Sequence, residues 1–255
     1  MSLTKRTKII VGVVIIASLA IGLPVLGLSM VNANSVHFTL LANAGVMIEA
    51  QGFRVYVDPV DLPDSYQALP ADLILVTHPH GDHYQDIVIN MLQKEGTVNV
   101  FPANMSTAIT VHGGMGVNPL DELQVGPVHI TAFYMYTFSV GGVPATHPIE
   151  ANYTSYIITI GGVSFFHAGD SKNILQYAQL TGSIDVAMLP LGPGCQTMAE
   201  DEIVDALDVI QPRYFVPIHY VDGANIDWIT IYASQLTNCQ LINLAYGQAF
   251  NFLPA

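Results

Sequence analysis

Four residues of the kinds that hold transition metals, His78, His80, Asp82 and His83, fall within six positions of the stretch THPHGDHYQD. Neutral imidazole nitrogen and carboxylate oxygen suit a borderline divalent ion, zinc first, with iron or manganese as alternatives. Four such donors so close in sequence cannot all turn comfortably to one ion. His78 and His80 flank Pro79 and are placed to face one ion, while Asp82 and His83 turn towards a second a few ångströms away. A two-metal centre is the natural reading.

The elements around this stretch must present it. The run ADLILV directly before it is short, β-branched and free of breakers, which predicts a buried strand. Pro79 and Gly81 forbid regular continuation. From Asp82 to Lys94 the spacing of Ile87, Val88, Met91 and Leu92 predicts a helix, with Asp82 and His83 at its N-terminus. Two coordination shells need more ligands, and three positions share the same local grammar. His147 follows GGVPAT, Asp170 closes FFHAGD, and His219 lies in YFVPIHY, each at or past the end of an apparent strand, where ligands gather in layered α/β folds. Asp58 of VYVDP is placed to accept a hydrogen bond from a ligating imidazole and fix its tautomer, the plainer alternative being a turn residue before Pro59. His37 and His129 sit in alternating segments as strand residues, His112 in a turn, and His167 reads as a packing or supporting residue.

The order HxHxDH, then His, then GD, then His resembles the metallo-β-lactamase superfamily, over nearly everything from His37 onward. The runs LLANAGVMIEAQGFRVYVDP, HAGDS, DVAMLPLG and TMAEDEIVDALDVIQPRYFVPIHY are similar to its metal-dependent hydrolase branch that includes L-ascorbate-6-phosphate lactonase-like proteins. The resemblance implies an αββα sandwich of two mixed β-sheets with outer helices. It also implies that His78, His80 and His147 hold a first metal, that Asp82, His83 and His219 hold a second, and that Asp170 bridges both. One position departs from the pattern. Where the branch usually reads GHAG, this chain reads Ala42, Asn43, Ala44, Gly45, so that Asn43 replaces a histidine near the site but outside the ligand set.

The coarse pattern agrees with such a sandwich. Strands are expected at HFTLLA, AGVMIEA, RVYVDP, DLILVTH, VNVFPA, VHITAFYMYTF, TSYIITIGG, VSFFHAG, DVAMLPL, YFVPIHY and CQLINLA. Further helices are expected at 171–179, 199–210 and 226–235, the second signed by a capping box of Thr197 with Glu200 and stopped by Pro212.

The N-terminus is a separate element, residues 1–31, ahead of a metallo-hydrolase domain at 34–255. After Lys5, Arg6 and Lys8 come 23 uncharged and mostly apolar residues, Ile9 to Val31. At about 1.5 Å per residue this run spans a hydrocarbon core of ~30 Å, which predicts a membrane-spanning helix acting as an anchor, or a cleaved leader ending near Val31, Asn32, Ala33. The cations before it place the domain outside the cytoplasm. Beyond the leader only Arg54, Lys94, Lys172 and Arg213 face all 20 acidic residues, which excludes the basic track that nucleic-acid binding requires. A small molecule is the expected partner. Lys172, two residues after Asp170, is the one cation beside a site motif. Cys195 and Cys239 suit an oxidising exterior without establishing a disulfide, and their spacing is no zinc motif.

The chemistry expected of this set is hydrolysis. Water held between two dications loses a proton near neutral pH and attacks an ester-like, lactone or phosphodiester bond, Asp170 bridging the ions and Asp82 orienting the hydroxide. The competing reading is a non-catalytic, membrane-tethered metal-binding or interaction domain, which would be expected to have lost ligands.

Overall fold

Alternation decides the layers. In β1 (Val36–Leu40) and β2 (Val46–Ala50) the residues Val36, Phe38, Leu40, Val46 and Ile48 point to one buried face, whereas Met47 points to the other. β3 (Phe53–Val57), β4 (Leu73–Leu75) and β5 (Val98–Pro102) are buried on both faces, as parallel strands covered by a second layer must be. With the short β6 (Met115–Val117) these strands belong to one seven-stranded sheet, order β14-β1-β2-β3-β4-β5-β6, in which β14 (Ala249–Phe252) comes from the end of the chain. The second sheet, order β13-β12-β11-β10-β9-β8-β7, comprises β7 (Glu122–Val125), β8 (Val128–Tyr134), β9 (Thr154–Ile160), β10 (Val163–His167), β11 (Val186–Pro190), β12 (Tyr214–Ile218) and β13 (Gln240–Leu241). Each sheet is antiparallel in one half and parallel in the other. The computed structural model describes residues 35–192, 194–221 and 223–254.

The sheets face each other across a core in which Phe38 stacks on Phe165 at 6.2 Å and Phe252 meets both edge-on. Burying one such ring stabilises the fold by about 1.5–3 kcal/mol. Outside the first sheet, Tyr56, Ile74 and Phe101 pack under α1 (Asp86–Met91) and α2 (Ser106–His112). Outside the second, Phe166, Tyr177 and Phe215 pack under α3 (Glu200–Ile210) and α4 (Ala224–Tyr232), whose Trp228 is fully buried. The result is the expected αββα sandwich of two mixed sheets. The segment Ile9 to Val31 lies outside the described residues, and among the described residues no helix is long and apolar enough to cross a membrane.

Several local expectations are corrected. Asp82 and His83 do not sit at a helix N-terminus. The amides of His83 and Tyr84 both bond to the His80 carbonyl at 2.9 Å, closing a turn, and the extended Gln85 starts the helix only at Asp86. The helix expected at 171–179 is a 3-10 turn at Leu175–Leu180. α3 begins at Glu200, not at 199, and Glu202 rather than Glu200 caps it, its carboxylate accepting from the Ala199 amide at 2.6 Å. The Thr197 hydroxyl is spent on the Gly192 carbonyl. α4 starts two residues before the expected 226 and ends at Tyr232, where a 3-10 turn at Ala233–Gln235 follows. Of CQLINLA only Gln240 and Leu241 form a strand, while α2, β6, β7 and β14 went unanticipated.

Candidate metal centre

The loops after β4, β8, β10 and β12 meet at one edge of the sandwich and bring together all seven expected side chains. His78, His80, His147 and Asp170 offer donor atoms within 4.8 Å of one another, and so do Asp82, His83 and His219. His78, His83, His147 and Asp170 are fully buried, whereas the Asp82 side chain is 47% exposed and opens the site to solvent.

Each buried imidazole is locked from behind. Asp58 is fully buried and takes the Thr77 amide on Oδ1 at 2.7 Å. Its Oδ2 accepts the Thr77 hydroxyl at 2.6 Å and His83 Nδ1–H at 2.8 Å. The Thr77 hydroxyl, donating to Asp58, can only accept from His78 Nδ1–H, 2.9 Å away. A second threonine repeats the device: Thr146 donates to the Cys195 carbonyl and accepts from His147 Nδ1–H at 3.0 Å. These partners leave the Nε2 lone pairs of His78, His83 and His147 turned into the site. Asp58 thus has the supporting role expected of it, and extends it to two histidines.

The free lone pairs do not satisfy one another. His80 Nδ1 lies 3.1 Å from His78 Nε2 and 3.2 Å from His147 Nε2, and a single imidazole proton can serve only one of them. Asp170 Oδ2 is 3.8 and 3.7 Å from the same two nitrogens. Its Oδ1 lies 3.0 Å from His83 Nε2 and 3.3 Å from His219 Nε2, yet neither contact has hydrogen-bond geometry. Both Asp170 oxygens and the Nε2 atoms of His83 and His219 are buried without a hydrogen-bond partner among the described residues. Four orphaned donor atoms at one point are costly unless a cation takes them. The residues therefore fit a bound divalent metal.

Electrostatics agree. Burial, followed by the crowding of neighbouring imidazoles, holds His78 well below its ordinary pKa. For His147 burial also leads, and the value falls to about 4. Burial pulls His83 down as well, but Asp170 and Asp58 outweigh it and push the value up to about 10. His78 and His147 are thus kept neutral, with lone pairs free for a cation, whereas in the metal-free chain His83 holds a proton between Asp170 and Asp58 that a bound cation would displace. Asp82 is held well below the carboxylate range, first by His219, whose Nε2 lies 3.4 Å from its Oδ2. Burial opposes the charge on Asp170, yet His83 and the other histidines keep its pKa lowered.

Backbone strain gathers here too. Asn43, Asp58 and His219 all take the left-handed conformation, φ 54°, 45° and 52°. Asn43, where the usual histidine is absent, accepts the His219 amide on its backbone carbonyl at 3.0 Å and donates from Nδ2 to the Asp82 carbonyl at 2.8 Å, tying two metal-facing residues together. Gly169, at φ 55°, has no room for a Cβ, which would come within 2.6 Å of Met135 Sδ and 3.1 Å of Thr77 Cβ. His167 is no ligand, because Nε2–H donates to the Ala44 carbonyl and Nδ1 accepts from the Gly169 amide. Lys172 turns away from the site to Glu202 at 2.7 Å. His37 pairs with Asn251, His129 is an exposed residue of β8, and His112 bonds to Tyr84 and Asp86. Cys195 and Cys239 are free thiols.

The described geometry has counterparts among known proteins. A family model for the beta-lactamase superfamily domain matches residues 37–219, from β1 to the last histidine of the centre. The chain belongs to that superfamily. A UPF0173 metal-dependent hydrolase of Pyrococcus furiosus is 30% identical over 207 residues, covering 72% of this chain and 84% of the relative. Another, from Thermus thermophilus, is 31% identical over 203 residues with the same coverage. A solved structure from Parabacteroides distasonis, described as a metal-dependent hydrolase, superposes with TM-score 0.72 at 25% identity, covering 83% of this chain and 93% of the other. As a superfamily member with these relatives, the chain is a metal-dependent hydrolase. Thr77 and Thr146 are the functional residues that sequence reasoning missed. The signal was present, since each immediately precedes a metal-facing histidine.

Proposed function

We propose that the chain is a dinuclear hydrolase of small substrates, with His78, His80 and His147 holding one divalent ion, Asp82, His83 and His219 the other, and Asp170 shared between them. The observation that carries this reading is the division of Asp170, whose buried Oδ2 faces one histidine pair and whose Oδ1 faces another. Zinc is the ion best suited to such a donor set, with manganese or iron as alternatives. Bound there, the ions would acidify water and polarise the oxygen of the scissile group. Hydrolysis then adds the water oxygen to the electrophilic carbon or phosphorus, breaks the bond to the leaving oxygen (sulfur in a thioester), and returns a proton to that leaving atom. Asp82, exposed and ionised, is the residue placed to hold the attacking water's proton and orient its oxygen. Lactones, thioesters, esters and phosphodiesters all suit the step.

Elemental mass spectrometry of the chain should find about two zinc, manganese or iron ions per molecule, and the loaded protein should turn over at least one class in such a panel. One ion per chain would sink the dinuclear reading. Two ions without turnover would favour the metal-binding domain that does no chemistry, a role against which the intact set of seven side chains argues.

The leader has its own place in this proposal. Lys5, Arg6 and Lys8 ahead of an uncharged run from Ile9 to Val31 support a membrane anchor with the hydrolase domain, 34–255, on the outer side. The chain should then resist alkaline carbonate extraction from membranes and be digested by protease added to intact cells stripped of their wall. Release by carbonate would overturn the anchor.

A further inference from the structure

A cavity of about 340 Å³ opens beside the half of the centre that holds His219, with Asn43 and His219 at its inner end and Leu191, Val221 and Ala224 among its walls. That volume is at the small end of ligand pockets, which typically run from roughly 300 to 1,000 Å³. Among the described residues the one formally charged side chain lining it, Glu200, is an anion. Beyond ions bound at the centre itself, no cationic side chain among the described residues lines the cavity to complement an anionic tail. Among the described residues Arg54 pairs with Glu49 at 2.7 Å, Lys94 with Asp72 at 2.5 Å, Lys172 with Glu202 at 2.7 Å and Arg213 with Asp185 at 2.9 Å, and none of the four lines the cavity. Phosphate recognition ordinarily draws on Arg, Lys or a run of backbone amides at a helix N-terminus. α4 begins at this wall, but its first turn carries Asp227 and Glu200 stands nearby, so away from the ions the protein's own side chains disfavour an anionic tail.

We infer that this cavity receives an uncharged, mainly apolar acyl portion of the substrate, and that substrates bearing a phosphate there are rejected. The inference rests on the metal centre proposed above and narrows its substrate class to neutral esters, lactones or thioesters of short acyl chains. The scissile carbonyl lies over the ions, and the acyl chain runs past His219 and Asn43 towards Leu191 and Ala224.

Hydroxamates test this, because their head group chelates the ions while the tail samples the cavity. The metal-loaded chain is titrated calorimetrically with acetohydroxamate, hexanohydroxamate and the phosphonate-terminated analogue of hexanohydroxamate. Hexanohydroxamate should bind roughly ten-fold or more tighter than acetohydroxamate, as added methylenes leave water. The phosphonate should lose at least that advantage. Ala224→Phe, which fills the cavity, should bring hexanohydroxamate to the affinity of acetohydroxamate and leave acetohydroxamate unchanged. Equal affinities for the two alkyl tails, or tighter binding of the phosphonate, would overturn the inference while leaving the centre in place. No binding of acetohydroxamate would remove the centre itself, and the inference with it.

Discussion

Asp170→Asn is expected to leave the chain folded, bring its metal content to one ion or fewer, and cut hydrolysis by about 10³-fold or more, equivalent to losing roughly 4 kcal/mol of transition-state stabilisation. Asparagine has the shape of aspartate but one acceptor oxygen in place of two. Whichever way the amide turns, an N–H₂ group meets either the His78 and His147 pair or the His83 and His219 pair, where a cation should sit. The negative charge that attracts the ions also disappears. Folding should survive, because the Asp170 oxygens make no hydrogen bonds in the metal-free chain that the amide would break. Elemental analysis, turnover and a thermal melt by circular dichroism check the three parts separately. A variant with two ions and activity within ten-fold of the parent would remove Asp170 from the role of shared ligand.

Much of this centre was legible in the sequence because its ligands are chemically rare and cluster next to buried strands. His78, His80, Asp82 and His83 stand in one loop, and His147, Asp170 and His219 each follow a hydrophobic run, so chemistry and pattern point the same way. The sandwich was legible for the same reason, since strands such as β4 and β11 are buried on both faces and read as unbroken apolar runs. Edge elements were not. β7 reads ELQV and β14 reads AFNF, half-exposed strands whose existence depends on pairing with β8 and β1 rather than on their own sequence. The turn at residues 81–83 was misread because Asp82 and His83 are plausible first-turn residues, while the hydrogen bonds to the His80 carbonyl that hold the turn are set by the site. Asn43, read as a departure near the site but outside the ligand set, proves to be a joint between Asp82 and His219, a role visible only once two distant loops lie side by side.

Asp58→Asn should weaken metal binding in both halves of the centre, by about 10- to 100-fold each, although Asp58 touches neither set of lone pairs directly. The carboxylate accepts three hydrogen bonds, from the Thr77 amide, the Thr77 hydroxyl and His83 Nδ1–H. An asparagine that keeps its oxygen towards the Thr77 amide turns N–H₂ towards the other two. His83 must then accept on Nδ1 and carry its proton on Nε2, which blocks the lone pair that faces Asp170. The Thr77 hydroxyl, without its acceptor, is free to donate to His78 Nδ1 and reverse that imidazole as well. The backbone tolerates the change, because asparagine is among the few residues at ease with the left-handed conformation found at position 58. Nitrogen-15 NMR of the two rings, each followed to its neutral form, should show Nδ1 protonated in the parent and Nε2 protonated in the variant, while competition with a chelator reports the affinities. The metal-free parent adds a pH signature. His83 has its pKa raised from 6.5 to about 10, against burial, by Asp170 and Asp58. Its charge therefore stabilises the fold fully below about pH 6.5 and progressively less as pH climbs towards 10. In Asp58→Asn one of the two supporting charges is gone, so the alkaline loss of melting temperature should begin at the same pH, set by the unfolded imidazole, but be smaller and end at lower pH. Unchanged ring tautomers together with unchanged affinity in both halves would reduce Asp58 to a turn residue before Pro59.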